Sequence, residues 1–252
     1  MHISKEWQDW LGARALDLSP ESEIISALVD AGFSASEASY LTISALRKPV
    51  VLNEELGIVL HRYALCNSEC DYLATVEVTG MTAARSYQPS NKIESDAAHT
   101  KCVYGDIESS THPSIIDLEL RISALMGVSN EVTQPFMAIR YEEGGSFGVH
   151  ADYFDLEDVM QAKYFENGGN RIGTGILYLN DVESGGETEF PHVGVTVKPV
   201  KGALLVFWYH NRETRSNHAS LPVTKGSKQI VTKWVREFPT IENGPAYSDN
   251  SV

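Results

Sequence analysis

After Gly127 the sequence leaves helical spacing for short apolar runs cut by turn residues, and this change of period limits the fold more than any other feature. The runs Phe136–Tyr141, Gly173–Leu179, Val193–Val200, Ala203–Trp208 and Lys228–Arg236 are strand-sized and separated by Gly, Asn, Asp and Pro. Short strands at this spacing predict an antiparallel double-sheet barrel or jelly roll. The helical patterns come earlier in the chain, so the helices are expected to pack on one sheet from outside, an α+β arrangement.

Those helical patterns have local signals. Ser19-Pro20-Glu21 starts a helix carrying Ile24, Ile25, Leu28 and Val29, and Gly32 stops it. Ser34-Ala35-Ser36-Glu37 is a capping box ahead of Tyr40, Leu41, Ile43 and Leu46, and Lys48-Pro49 ends that helix. Residues 1–48 therefore read as a small N-terminal helical segment, a layer packed on the main domain rather than a partner-binding module. From Asn53 the pattern Glu54, Leu56, Val59, Leu60 continues helically, a short helix covers Ser68–Leu73, and residues 80–112 are loop-rich. Ile115, Leu118, Ile122 and Leu125 then form an apolar helical stripe that Gly127 terminates. The expected division is 1–48, a main domain over 49–240, and a flexible tail over 241–252.

The 252 residues, 42% of them apolar, suffice for one substantial core. A formal net charge of −14, from 34 acidic and 20 basic residues, argues against binding a phosphate backbone, so no nucleic-acid partner is expected. No apolar run is long enough to cross a bilayer, and Met1–Trp7 has no basic-then-apolar leader pattern, so neither a membrane partner nor export is expected. Cys66, Cys70 and Cys102 cannot all pair within one chain, which fits a reducing, cytoplasmic location. Cys66 and Cys70 lack two further ligands for zinc and read as ordinary thiols.

The chemistry gathers around residues 136–152. An alternating run (Phe136, Ala138, Tyr141) reads as a strand, Gly144-Gly145 as a reversing turn, and the return strand as ending in His150-Ala151-Asp152. Alternate residues on a strand face one way, so His150 and Asp152 could close on one metal ion with a second imidazole. That set is the 2-His-1-carboxylate facial triad suited to non-haem Fe(II), although His-x-Asp alone is a weak signal. Of the downstream histidines, His192 follows a proline in a turn and His210 lies in a polar loop. His218, at the head of a short segment before Pro222, is the better candidate. Ten positions later Lys228 heads a strand on which Lys228, Ile230, Thr232 and Trp234 share a face, and an inward lysine there needs an anion partner.

Residues 136–238 resemble the catalytic domain of the prolyl 4-hydroxylase family of Fe(II)- and 2-oxoglutarate-dependent dioxygenases. The resemblance is carried by Arg140–Asp152, by Gly168–Pro191 with its Gly-Thr-Gly-Ile-Leu-Tyr-Leu-Asn core, by Lys201–Trp208, and by His218–Val223 through Lys233–Glu237. Weaker similarity, around Leu65–Leu73, reaches back towards residue 50. The resemblance implies a double-stranded β-helix (jelly-roll) core with Fe(II), 2-oxoglutarate as cosubstrate and O2, and ascorbate as an optional reductant. It assigns His150, Asp152 and His218 as iron ligands and Lys228 as the residue holding the distal carboxylate of 2-oxoglutarate. Tyr141 and Thr188 match its hydrogen-bonding helpers, and Trp234 a tryptophan near the site. One departure concerns substrate: where the family often carries Arg-Thr-Ser, this chain reads Asp96-Ala97-Ala98-His99-Thr100-Lys101.

The expected reaction is hydroxylation of a prolyl residue in a peptide or protein, with release of succinate and CO2. A free amino acid or small peptide-like metabolite is the alternative substrate, and a non-catalytic metal-binding sensor or scaffold the alternative role. The polar insertion at 155–171, with Asp155, Glu157, Asp158 and Glu166 against Lys163 and Arg171, is expected to give the site an acidic rim that favours basic peptides. Oligomeric state cannot be read from these residues.

Overall fold

The computed structural model describes residues 3–17, 19–76, 79–83, 99–107, 113–155, 164–209 and 214–240. Its helices are α1 (Lys5–Leu16), α2 (Glu21–Asp30), α3 (Ala35–Leu46), α4 (Asn67–Thr75) and α5 (Pro113–Leu125). Its strands are β1 (Val50–Asn53), β2 (Ile58–His61), β3 (Thr79–Ala83), β4 (His99–Asp106), β5 (Met137–His150), β6 (Arg171–Tyr178), β7 (Ser184–Gly185), β8 (Thr188–Phe190), β9 (Val195–Val197), β10 (Leu204–Trp208), β11 (His218–Ser220), β12 (Val223–Lys225) and β13 (Lys228–Arg236). An 11-stranded sheet runs β1-β2-β10-β6-β13-β5-β11-β8-β9, with β4 joining β5 and β3 joining β4. Every pairing among the described strands is antiparallel, and the sheet curls into a nearly closed jelly-roll barrel.

Two apolar cores lie on opposite faces of this sheet. Outside, Leu73 of α4 and Ile115, Leu118 and Ile122 of α5 cover Leu177, Leu204, Val231 and Val235. Inside the barrel, Ile139, Tyr141, Tyr178, Phe190, Phe207 and Ile230 pack together. Both faces of β13 are therefore covered, and even Lys228 and Lys233 are 1% exposed. Each buried lysine has its own solution: Lys233 faces the helices, with Nζ 3.6 Å from Glu119 and donating to the Gln134 carbonyl, whereas Lys228 faces the barrel.

The N-terminal residues form a third core of Leu11, Ile24, Leu28, Leu41 and Leu46, against which Val50 of β1 packs. The capping box of α3 is present: Glu37 accepts from the Ser34 amide at 2.9 Å, and Ser34 accepts from the Glu37 amide. Three helices, not two, make this layer. The first has a thin apolar stripe, with Leu11 and Ala15 as its buried residues, and so leaves little periodic signal. Val29, Tyr40, Ile43 and Leu125, expected in cores, are exposed on the outer sides of their helices.

Two further expectations are corrected. The stretch after Asn53 is not helical but a hairpin, β1 to β2. Asn53 Oδ1 accepts from the Leu56 amide at 2.9 Å and Gly57 adopts φ +54, which closes the turn and lets β2 pair with β10. Spacing alone could not separate this from a helix, because Leu56, Val59 and Leu60 suit either period. Likewise Gly144-Gly145 does not reverse the chain; β5 runs through it as one 14-residue strand. Gly144 has φ +81, and a Cβ on Gly145 would stand 2.7 Å from the Glu142 carbonyl oxygen and 2.8 Å from that of Lys101. The glycines thus form a bulge, opposite which Lys101 itself adopts φ 49. Before the bulge β5 pairs with β13, and beyond it with β11. Within the loop-rich stretch 80–112, strand β4 lies along β5 through this bulge. Asp96–Ala98, Glu157, Asp158, Lys163, His210 and the tail over 241–252 lie outside the described residues. Among the described residues no helix is long and apolar enough to cross a membrane.

Candidate active site

The switch of partner along β5 sets up the site. His150, the last residue of β5, stands directly opposite His218, the first of β11, and the ring centroids are 4.3 Å apart. Asp152 turns its carboxylate back, with Oδ1 3.3 Å from His150 Nε2 and Oδ2 3.8 Å from His218 Nε2. One ligand atom from each of these residues lies within 4.8 Å of the others, so all three can close on one metal ion. His192 is exposed and is not one of the three.

Both imidazoles are oriented from behind. His150 Nδ1 is 2.9 Å from the Gly148 carbonyl oxygen and His218 Nδ1 is 3.3 Å from that of Ser216. A carbonyl only accepts, so each Nδ1 carries the proton and each Nε2 offers its lone pair to the site. Phe190 and Phe207 enclose the His218 ring, at centroid distances of 5.7 and 4.7 Å. Burial, reinforced by His150 nearby, pushes the His218 pKa down to about 4, which keeps its imidazole neutral. For Asp152 burial acts the other way, yet either neighbouring imidazole when protonated, together with the Arg171 guanidinium, holds the carboxyl well below its ordinary value. A neutral imidazole and an ionised carboxylate are the metal-binding forms.

Asp152 has a support of which sequence reasoning finds Trp234 but misses Thr174 and Tyr209. Its Oδ2 lies 2.7 Å from Thr174 Oγ1, 2.9 Å from the Tyr209 hydroxyl and 3.0 Å from Trp234 Nε1, which donates. The Thr174 and Tyr209 hydroxyls are 2.5 Å apart with one proton each, so they serve the carboxylate as a linked pair. Oδ2 is thereby committed, and Oδ1 faces the imidazoles. Trp234 and Thr174 are neighbours across β13 and β6, which is why residues so distant in sequence share one acceptor. Arg171 is not a rim residue: its guanidinium lies 3.7 Å above the Trp234 ring, and it donates to the Asp152 carbonyl and, at 2.8 Å, to Gln134 Oε1.

Deeper in the barrel, Lys228 Nζ donates to Ser220 Oγ at 2.7 Å and lies 5.1 and 5.8 Å from the ring centroids of Tyr141 and Tyr178. No carboxylate among the described residues is within salt-bridge distance of it. Burial pushes this ammonium down to about 7. Thr188, 2% exposed, has its hydroxyl 2.8 Å from that of Tyr178. Tyr141, 3% exposed, stands opposite Lys228 on one side and Cys102 on the other in the strand register. Ser220, Tyr178 and Cys102 carry no signal of their own in the sequence; only the strand register reveals them. The interior thus offers a hydroxyl-lined seat for an anion beside a three-residue metal-binding cluster. Two neutral imidazoles and one carboxylate fit Fe(II), leaving coordination positions for an oxoacid and O2.

Residues 136–236 match the model of the 2OG-Fe(II) oxygenase superfamily. Prolyl 4-hydroxylase 1 of Arabidopsis thaliana is 29% identical over 223 residues, covering 81% of this chain and 77% of that protein. Prolyl 4-hydroxylase subunit alpha-1 of Homo sapiens is 34% identical over 131 residues, covering 50% of this chain but only 24% of the subunit. The chain therefore spans most of the plant relative and about a quarter of the human one. The fold is shared with the viral collagen prolyl hydroxylase of Paramecium Bursaria Chlorella virus-1 in its 2OG complex, at a TM-score of 0.52 and 21% identity over 70% of this chain and 94% of that one. The chain is a 2-oxoglutarate-dependent dioxygenase that uses Fe(II) and O2, and it is similar to prolyl 4-hydroxylases.

Proposed function

We propose that this chain hydroxylates a prolyl residue within a peptide or protein, converting 2-oxoglutarate and O2 to succinate and CO2 as one oxygen atom enters the C–H bond. The observation that carries this reading is Lys228, a buried ammonium with no carboxylate of the described residues within salt-bridge distance, seated beside the His150, Asp152 and His218 cluster. A cation so placed favours an anionic ligand inside the barrel.

In this reading His150, Asp152 and His218 hold the iron, which supplies the oxidising chemistry when bound. The Gly148 and Ser216 carbonyls keep both Nε2 atoms aimed at the metal position, and Trp234 with the Thr174–Tyr209 pair fixes the carboxylate. Lys228 holds the distal carboxylate of 2-oxoglutarate by a charge-assisted hydrogen bond, with Tyr141 and Thr188 as the hydroxyls beside it. The aromatic enclosure of His218 keeps water from the inner side. The names of the plant and human relatives, prolyl 4-hydroxylases, and of the viral collagen prolyl hydroxylase support a proline within a polypeptide. The division into 1–48, 49–240 and 241–252 belongs to this proposal, as does a cytoplasmic site of action, with which three free cysteines agree.

The test offers the Fe(II)-loaded chain proline-containing peptides with Lys or Asp flanks in competition with free L-proline. A mass gain of one oxygen on peptide, with matching succinate, is expected. Turnover of free proline alone would reject the peptide reading and promote the small-metabolite one. Iron and 2-oxoglutarate binding without oxygen-dependent succinate would leave a sensor.

A further inference from the structure

Asp152 lies beyond the end of β5 at His150, so no strand ladder fixes the backbone from which its carboxylate projects. Two residues on, Phe154 is buried at 6% exposure, and its amide and carbonyl both need partners. One side chain supplies both. Asn170, 3% exposed, accepts from the Phe154 amide through Oδ1 at 2.7 Å and donates from Nδ2 to the Phe154 carbonyl at 3.0 Å. The same Oδ1 accepts from the Arg171 amide at 2.8 Å, so the orientation of the group is determined: reversed, it would set an NH2 against two N–H donors. Asn170 is itself held at the head of β6, where its amide donates to Glu237 Oε2 at 2.9 Å and its carbonyl accepts from the Glu237 amide at 3.0 Å. The Phe154 ring is fixed as well, 4.9 Å from the guanidinium carbons of both Arg171 and Arg236.

Building on the assignment of His150, Asp152 and His218 as metal ligands, we propose that Asn170 is a positioning residue for the metal centre: its side-chain amide stands in for a peptide unit, ties Phe154 to the head of β6 and so sets the backbone from which Asp152 is aimed. The carboxylate end of Asp152 is already bound to β6 through Thr174 Oγ1 at 2.7 Å. With Phe154 bound to the residue that precedes this strand, Asp152 is referred to β6 at both its backbone and its carboxylate. Residues 155–169 intervene in the chain between Phe154 and Asn170, and the clamp spares Asp152 from depending on them. Only a short side chain with a donor and an acceptor can do this; Asp lacks the donor, and Ala lacks both.

The test titrates the full-length, metal-free protein with Ni(II), a stand-in for Fe(II) that imidazole ligands accept, and follows urea unfolding of the same samples. Asn170→Ala should weaken Ni(II) binding roughly 10–100-fold, the usual effect of losing a group that orients a ligand. Asn170→Asp keeps the acceptor for both amides and should lose less; if Asn170→Ala does not fold, this variant decides alone. In an Asp152→Ala background, where the imidazoles alone hold Ni(II), Asn170→Asp should change nothing further, because Asn170 acts through Asp152. Leu28→Ala, in the remote N-terminal core, should lower the unfolding midpoint and leave Ni(II) affinity as it is. Wild-type affinity in the Asn170 variants, an equal loss in the Asp152→Ala background, or a matching loss in Leu28→Ala would overturn the proposal. If the wild-type protein does not bind Ni(II), the metal-ligand assignment falls, and the role of Asn170 with it.

Discussion

Replacing Lys228 with methionine should make the metal-free protein more stable while removing its affinity for 2-oxoglutarate. The Lys228 ammonium is fully buried, with Ser220 as its hydrogen-bond acceptor and no carboxylate of the described residues within salt-bridge distance, and its pKa falls from 10.5 to about 7. At about 1.36 kcal/mol per pH unit, that fall represents on the order of 5 kcal/mol of unfavourable charge burial. Methionine fills a similar volume without the charge. Loss of the bond to Ser220 returns about 1–2 kcal/mol, which leaves a net gain of about 3–4 kcal/mol near pH 6. The pH dependence has a definite sign. Between about pH 7 and 10.5 the unfolded lysine binds a proton that the folded one has released, so wild-type stability climbs as pH rises through that window. The Lys228→Met advantage is therefore full below pH 7 and fades towards pH 10. Urea unfolding of both proteins at pH 6, 7.5 and 9, paired with calorimetric titration of 2-oxoglutarate, measures both halves. A variant no more stable than wild type at pH 6 would refute the energetic argument. One retaining wild-type 2-oxoglutarate affinity would refute the assigned role of Lys228.

Three further outcomes are expected. His218→Ala should lose metal retention and turnover together, read by metal content and succinate release; full activity would move the assignment to His210. Tyr209→Phe breaks the hydroxyl pair behind Asp152 and should weaken metal affinity by roughly 10–100-fold in a chelator competition, whereas an unchanged affinity would show that Thr174 and Trp234 suffice. Glu119→Ala strands the buried Lys233 ammonium, whose pKa burial has already lowered to about 8. Unfolding should become easier by about 3–5 kcal/mol, and a loss under about 1 kcal/mol would mean that the Gln134 carbonyl alone satisfies the lysine.

What the sequence determines by itself is what neighbouring residues decide among themselves. The Ser34–Glu37 capping box, the stripe of α5 and the strand identities of β6, β10 and β13 depend on interactions a few residues long and on a period, so they are legible in the sequence alone. His150 and Asp152 are legible as a pair for the same reason. Register is not. The Gly144-Gly145 dipeptide has the composition of a turn, and only the close approach of the Lys101 carbonyl, far upstream and on another strand, makes it a bulge. That bulge lets β5 change partners and sets His150 opposite His218. Tertiary packing also chooses between helix and hairpin after Asn53, because β2 has β10 to pair with and the local spacing suits both. The support around Asp152 from Thr174, Tyr209 and Trp234, and the row Cys102, Tyr141, Lys228, arise from residues that meet only across adjacent strands. A strand's own sequence specifies which side chains share a face, whereas cross-strand partners are set by the hydrogen-bond register of the whole barrel, to which every strand contributes.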